Sequence, residues 1–195
     1  MNTINIDSNK VYSYADYLLW QFKERVELIK GKLFKMSPAP SMQHQRVVTR
    51  LIARFSVFLG GHTCEVFTAP FDVRLPKEGQ HEDQRIYTVV QPDVCVICDK
   101  SKLDKRGCVG APDLVVEVLS PGNTQKEMDE KFEIYEESGV REYWLVNFIE
   151  KNVLVYVLNE QGKFIGLKPF TENTNLTAAI FPEMSINLKE LFAED

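Results

Sequence analysis

A short valine-rich run with a carboxylate at its centre constrains this chain more than any other feature. Residues 114–119 read LVVEVL, between Pro112 on one side and Ser120-Pro121-Gly122 on the other. Apolar runs of this length, rich in valine and bounded by proline, are typical of buried strands. Glu117 stands in the middle of the run, and burying a carboxylate is costly unless another group compensates its charge. The fold must therefore supply Glu117 with a partner.

The segment after this strand predicts a helix that carries such a partner. Thr124 and Glu127 have the spacing of a capping box, which marks a helix start. One helical face then holds side chains at i, i+3, i+4 and i+7, namely Met128, Lys131, Phe132 and Tyr135. Lys131 is the one charged member of a face that should pack on the sheet. It can neutralise Glu117 as a structural ion pair, or the two can share a metal ion and a phosphate.

Composition sets broad limits on the function. The chain has 195 residues, of which 44% are hydrophobic and 26% charged, as expected for one globular domain spanning 1–195. Its net charge of -5 argues against a protein that grips nucleic acid through a basic surface. The same charge is compatible with a nuclease whose carboxylates are offset by divalent cations.

The sequence also carries expectations about location. The first ten residues, MNTINIDSNK, lack the basic and apolar regions of a signal peptide, and no apolar run approaches the length of a membrane span. A cytoplasmic protein without a membrane partner is the expectation, and its four cysteines are then expected to be reduced thiols.

The order of predicted elements indicates an α/β fold with a mixed central sheet flanked by helices. A helix that begins at Ser13 and runs through Trp20 and Phe22, and a β-hairpin turning at Lys30-Gly31, come first. Ser41 opens a long helix that ends at Gly60-Gly61. Strands are expected at 63–75, at 93–98 with 86–90 lengthening it, and at 114–119, 142–147, 153–158 and 163–167. A short helical segment at the C-terminus follows.

Two carboxylates in neighbouring valine-rich strands form the best candidate for a metal site. Asp93 stands at the entry of the run VCVIC, and residues that face each other across paired strands lie about 5 Å apart. Asp113 and Glu117 share one strand face but lie about 13 Å apart at the usual rise, so Asp113 is expected to be structural or to support the metal ligands without touching the ion. Asp93 and Glu117 together suit Mg²⁺ or Mn²⁺, which favour oxygen ligands.

Two further residues and a cysteine motif leave alternatives open. For Glu27, on the first arm of the hairpin, the residues alone favour a solvated charge at a strand edge. His44 can be a hydrogen-bonded histidine at a helix start or a site histidine that faces the sheet. Cys95-x-x-Cys98 has the spacing of a zinc motif, but residues three apart on a strand point to opposite faces, which favours two buried thiols.

Several segments, in a fixed order, resemble one known family. They are VELIKGKLFKMSPAP, the His44-Gln45 helix start, APFDVRL, QPDVCVI, GAPDLVVEVLSP and GVREYWLVN. Together they resemble the Uma-type endonucleases of the PD-(D/E)XK superfamily over nearly the whole chain. The resemblance implies a restriction-endonuclease-like core and metal-dependent hydrolysis of phosphodiester bonds.

The resemblance also implies roles for individual residues. Asp93 matches the motif aspartate, and Glu117 matches the acid of the E-x-K element. Leu119 stands where the superfamily usually has lysine, and the resemblance implies that Lys131 on the helix replaces it. Glu27 and His44 match further polar positions, so the implied catalytic set is Glu27, His44, Asp93, Glu117 and Lys131.

The expected function is therefore a Mg²⁺- or Mn²⁺-dependent endonuclease that acts on nucleic acid, with DNA as the expected substrate. A homodimer is expected, because cutting both strands of a duplex calls for two sites. The alternative is a nuclease-fold binding or scaffold module with weak or no activity. The net negative charge and Asn147 both allow this alternative, since relatives commonly carry an aspartate at the position of Asn147.

Overall fold

The computed structural model describes residues 7, 9–20, 25–36, 40–122 and 124–194. Its α-helices are α1 (Tyr14–Tyr17), α2 (Met42–Phe58), α3 (Gln125–Ser138) and α4 (Leu188–Leu191). The predicted capping box is present, since the Thr124 side chain accepts from the backbone of Glu127 and the Glu127 side chain accepts from the backbone of Thr124. Helix α1 is shorter than predicted because it ends at Tyr17, and Phe22 lies outside the described residues.

The strands outnumber those predicted, because several are only two or three residues long. They are β1 (Val26–Ile29), β2 (Lys32–Lys35), β3 (Glu65–Thr68), β4 (Asp72–Arg74), β5 (Val89–Val90), β6 (Val94–Ile97), β7 (Leu103–Asp104), β8 (Gly107–Val109), β9 (Leu114–Val118), β10 (Glu142–Asn147), β11 (Asn152–Leu158), β12 (Phe164–Gly166), β13 (Phe170–Thr171), β14 (Asn175–Thr177) and β15 (Ser185–Asn187). Within the described parts of the chain, no helix is both long and apolar enough to cross a membrane.

The larger sheet is mixed, as predicted. Its strand order is β12-β11-β10-β9-β6-β3, with β13 paired to β11. Strands β9 and β10 run parallel, joined by α3, while β6 pairs antiparallel with β9. Alternate residues of β9 point to opposite faces, so Val116 packs under α2 while Val115 packs under α3. The predicted α/β architecture, a mixed sheet between helices, is confirmed.

A second sheet corrects two of the predicted strands. Its order is β2-β1-β5-β4-β8-β7, and the hairpin predicted around Lys30-Gly31 forms its β1 and β2. The single strand expected at 63–75 is two strands, because Pro70 has no N–H to donate and the chain bends there between β3 and β4. Residues 86–90 do not lengthen β6, because β5 pairs with β1 and β4 in this second sheet.

The cysteines correct another expectation. Cys64 and Cys98 form a disulfide, while Cys95 and Cys108 are free and buried. The antiparallel register of β3 and β6 places Glu65 opposite Ile97, and so brings Cys64 opposite Cys98. The prediction that all four cysteines are reduced thiols is therefore wrong for this pair. The zinc interpretation of Cys95 and Cys98 is also wrong, because the sulfur of Cys98 is bonded to Cys64.

Gly107 fixes the geometry of the second sheet and provides a stability test. Its φ is 127°, and a Cβ there would lie 2.2 Å from the carbonyl oxygen of Asp72 on the neighbouring strand. Gly162 also has a positive φ, of 70°, but a Cβ there meets nothing within 4 Å. Gly162→Ala should cost about 1–2 kcal/mol of unfolding free energy, and Gly107→Ala about 3 kcal/mol or more. Urea denaturation of both variants measures the difference, and equal losses would contradict the close approach.

Candidate functional site

The residues that the sequence singled out line one cleft. It has a volume of about 360 Å³ and lies where the hairpin, the first turn of α2, β9 and the start of α3 meet. Its lining includes all five predicted site residues, Glu27, His44, Asp93, Glu117 and Lys131. The structure thus brings them together, whereas their chemical roles remain predictions.

Asp93 lies opposite Glu117 across paired strands. The antiparallel register pairs Val94 with Val116, so the next pair outward is Asp93 and Glu117. Oδ2 of Asp93 accepts a hydrogen bond of 2.8 Å from the backbone N–H of Val118, which fixes the carboxylate against β9. The cross-strand arrangement expected from the sequence is therefore present.

His44 is a second fixed neighbour of Asp93. The side chain of Ser41 accepts from the backbone N–H of His44 and starts α2, which points the imidazole at the sheet. Nε2 of His44 lies 3.2 Å from Oδ2 of Asp93. Burial alone would lower the pKa of His44, but the Asp93 carboxylate raises it above its ordinary value. Of the two interpretations left open, the structure supports a buried histidine that faces the sheet.

Lys131 joins two carboxylates from different parts of the fold. Its Nζ lies 2.8 Å from Oε1 of Glu117 and 3.2 Å from Oε1 of Glu27. The hydroxyl of Tyr135, one helical turn further on, donates a 2.7 Å hydrogen bond to the same oxygen of Glu117. The inward direction predicted for Lys131 is confirmed. Glu27 is only 4% exposed, so its interpretation as a solvated edge charge is wrong.

The cluster carries more negative than positive charge. Burial raises the pKa of Glu117 to about 7, and the carboxylates of Asp93 and Glu27 add to this effect while Lys131 opposes it. Burial alone would lower the pKa of Lys131, but Glu117 and Glu27 raise it above its ordinary value and keep the ammonium charged. Burial likewise raises the pKa of Tyr135, which stays a neutral donor. A cation that entered the cleft would relieve the repulsion among the three carboxylates.

The open oxygens of the cluster fit a hard divalent cation. The hydrogen bonds above engage Oδ2 of Asp93 and Oε1 of Glu117, so Oδ1 and Oε2 are the oxygens that could hold a cation. Across the described residues, no group of three or more His, Cys, Asp and Glu side chains is placed to hold a metal ion. Magnesium commonly binds through one or two carboxylates and completes its shell with water and substrate oxygens. Asp93 and Glu117 are the two residues of the cleft that could meet that requirement.

Three other residues discussed from the sequence have structural roles. Asp113 accepts from the backbone N–H of Cys98 and pairs with Arg141, so it supports the strands, as predicted. Leu119 packs in the apolar cluster under α3. Asn147 accepts from the N–H groups of residues 149 and 150 and closes the turn after β10. The side chain of Asn147 is thus engaged in this turn.

Sequence reasoning missed the role of Gln91, which lies two residues before Asp93. Its backbone N–H donates 2.8 Å to Oε1 of Glu27, and its side chain contacts Arg25 and Asp72. The helical spacing places Tyr135 on the inner face of α3 but does not identify it as a donor to Glu117. Nothing local marks the contact of Gln91, whose partner lies 64 residues away, whereas the position of Tyr135 one helical turn after Lys131 is a signal that could have pointed to Glu117.

The mixed sheet, the acidic pair and the nearby lysine define a protein of the restriction-endonuclease-like class. The fold matches a crystal structure described as a "putative nuclease belonging to DUF820" from Anabaena variabilis, with a TM-score of 0.71 and 18% identity over 92% of this chain and 97% of that one. At that identity the likeness shows the fold alone.

Residues 14–189 match the Uma2 family, described as "Putative restriction endonuclease", and the chain belongs to that family. The family resemblance predicted from the sequence is confirmed. The chain is also 28% identical over 158 residues to the "Uncharacterized protein slr1290" of Synechocystis sp., covering 80% of this chain and 78% of that protein. Family membership and fold together support a nuclease as the class of function.

The raised pKa of Glu117 predicts a pH-dependent stability. Between its ordinary value of 4.5 and its folded value of about 7, the folded protein holds a proton that the unfolded chain has released. Stability should therefore fall as the pH rises through this window. Glu117→Gln cannot titrate, so its fall should be shallower by up to about 1.4 kcal/mol per pH unit. Urea denaturation across the window measures both slopes, with the exposed Glu160→Gln as the control that keeps the wild-type slope.

Removing the Lys131 ammonium, which Glu117 and Glu27 share, should destabilise the fold by an amount that depends on pH. Lys131→Met leaves Glu117 and Glu27 buried without their common partner, and such a loss costs about 3–5 kcal/mol. Protonation of Glu117 removes one of the two orphaned charges, so the loss should be smaller in acid than above neutral pH. Thermal or urea unfolding tests this at one pH below 4.5 and at one pH above about 7, the ordinary and folded pKa values of Glu117. The exposed Lys126→Met is the matched control. A pH-independent loss would contradict it.

Proposed function

We propose that this protein is a Mg²⁺- or Mn²⁺-dependent endonuclease that hydrolyses phosphodiester bonds of nucleic acid, with DNA as its substrate. One observation carries the proposal. A pair of facing carboxylates, Asp93 and Glu117, and a charged ammonium, Lys131, border the same cleft. Membership of a family described as restriction endonucleases supports the same conclusion.

Asp93 and Glu117 would hold the metal ion through their open oxygens. When bound, such an ion polarises a phosphoryl oxygen and lowers the pKa of a coordinated water. His44 and the N–H of Val118 keep Asp93 in one orientation, so the ligand geometry is set before any ion arrives. In this proposal His44 is a positioning residue, because it orients Asp93 and does not itself bind the metal ion.

Lys131 would act on the substrate rather than on the metal. Glu117 and Glu27 keep its ammonium charged, and a fixed positive charge stabilises the negative charge that develops on a phosphoryl group under attack. Tyr135 and Glu27 restrain the cluster from either side, which limits the motion of Lys131. In this proposal Lys131 binds the phosphate or orients the attacking water.

The proposal also includes an oligomeric state and a location for the protein. Cleavage of both strands of a duplex needs two sites, which a homodimer with two-fold symmetry would supply. The cytoplasmic location expected from the sequence is likewise proposed. The net charge of -5 means that the substrate must be held by local groups in the cleft and by the cation, and not by a broadly basic surface.

A cleavage assay with a conservative substitution tests the proposal. Wild-type protein with Mg²⁺ or Mn²⁺ should cleave at least one of supercoiled DNA, single-stranded DNA and RNA, and EDTA should abolish the cleavage. Asp93→Asn keeps the shape but removes a metal ligand, so it should lower the rate by about 100-fold or more. Asp129→Asn makes the same chemical change at an exposed position of α3 and should cleave like the wild type.

Two results would contradict the proposal. Equal cleavage by wild type and Asp93→Asn would show that the activity does not come from this cleft. Absence of cleavage on every substrate, together with no metal binding by calorimetry, would instead favour the nuclease-fold binding module.

A further inference from the structure

Arg25 lies at the edge of the same cleft and is exposed. Its guanidinium donates two hydrogen bonds to the side-chain oxygen of Gln91, at 3.1 Å from Nε and 2.8 Å from Nη2. The acceptor is a neutral amide, and no carboxylate of the described residues takes part in these two hydrogen bonds. The two hydrogen bonds therefore fix the orientation of the guanidinium, and their acceptor carries no charge.

Gln91 is itself held rigidly. It is 8% exposed, and its Nε2 lies 2.8 Å from Oδ1 of Asp72 and 3.3 Å from the hydroxyl of Tyr17. Its backbone N–H donates to Oε1 of Glu27, the carboxylate that also contacts Lys131. One residue thus sets both the position of the Arg25 guanidinium and that of a member of the acidic cluster.

This arrangement has the chemistry of a phosphate site. A guanidinium has five N–H donors in a planar fork, and Gln91 occupies two of them, which leaves three for another acceptor. Two phosphate oxygens can accept from the fork of an arginine at the same time, whereas a lysine presents only a point charge. The carboxylates of Asp93, Glu117 and Glu27 would repel a polyanion that approaches the cleft, so a fixed cation at its edge has an electrostatic purpose.

We propose that Arg25 binds a backbone phosphate of the nucleic acid next to the one that is cleaved, and that Gln91 is the positioning residue for Arg25. The inference rests on the proposed function and names a substrate contact within that site. Since Arg25 would touch the phosphate backbone, it should raise affinity for any sequence and leave base preference unchanged.

Binding of a fluorescently labelled duplex oligonucleotide in EDTA, followed by anisotropy, tests the contact without cleavage. Arg25→Ala should bind about tenfold more weakly at low salt than the wild type. The slope of log K against log salt should become shallower by about 0.9, the value for one lost phosphate contact. Arg25→Lys keeps the charge but loses the fork of donors, so its affinity should lie between those of the wild type and Arg25→Ala. Arg54→Ala is the control, because Arg54 is exposed and lies ten residues beyond His44 on α2, about 15 Å along the helix axis.

A double-mutant cycle tests the role of Gln91. Gln91→Met keeps the side-chain length and removes the acceptor of Arg25, so it should weaken binding in the wild-type background. It should have no further effect in the Arg25→Ala background if it acts through the guanidinium. A merely structural role would weaken both backgrounds equally.

The outcomes separate this inference from the proposed function. Weaker binding and a shallower salt slope for Arg25→Ala, with Arg54→Ala like the wild type, would support the phosphate site. Equal binding by Arg25→Ala and the wild type would overturn it and leave the nuclease proposal standing. A wild-type protein that binds no nucleic acid in EDTA would overturn the phosphate site, whereas the nuclease proposal is decided by the cleavage assay with Mg²⁺ or Mn²⁺.

Discussion

The contact between Glu117 and Lys131 is the interaction on which the rest of this structure depends. A carboxylate in the middle of a buried strand needs a compensating charge, and α3 delivers one to within 2.8 Å. This requirement fixes the rotation of α3 about its axis, because the helix face that carries Lys131 must pack against β9. It therefore also fixes where Phe132 and Tyr135 enter the core. A buried pair of this kind contributes little net stability, so its placement beside a cleft is better explained by function than by folding.

Two sheets meet at the site, and the link between them carries Asp93 and the residue that binds Glu27. Strand β5 belongs to the smaller sheet and β6 to the larger one, and the residues between them include Gln91 and Asp93. Gln91 binds Glu27 on the smaller sheet through its N–H, while Asp93 binds the N–H of Val118 on the larger sheet. The three carboxylates are thus assembled from both sheets, so the local geometry depends on how the sheets join.

The sequence predicted those parts of the site that local rules control. The capping box at Thr124 and the helical spacing of Lys131 placed the ammonium, and the valine-rich runs placed Asp93 opposite Glu117. It failed where distant segments meet. Glu27 was interpreted from its own strand as solvated, because burial by Gln91 and Lys131 comes from residues more than sixty positions away in the chain. The same reason hid the disulfide, since only the pairing of β3 with β6 brings Cys64 to Cys98.

The charge balance of the cleft lowers the stability of the fold but suits the proposed function. Asp93, Glu117 and Glu27 surround one buried ammonium, and burial raises the pKa of Glu117 to about 7 because its ionised form is poorly compensated. A protein selected for stability alone would gain by replacing one of these acids with a neutral side chain. An arrangement that keeps an acid partly unneutralised at neutral pH is instead suited to a positively charged ligand, whose binding supplies the missing charge. Under the proposed function, the repulsion among the three carboxylates and the binding of a divalent cation would have the same electrostatic origin.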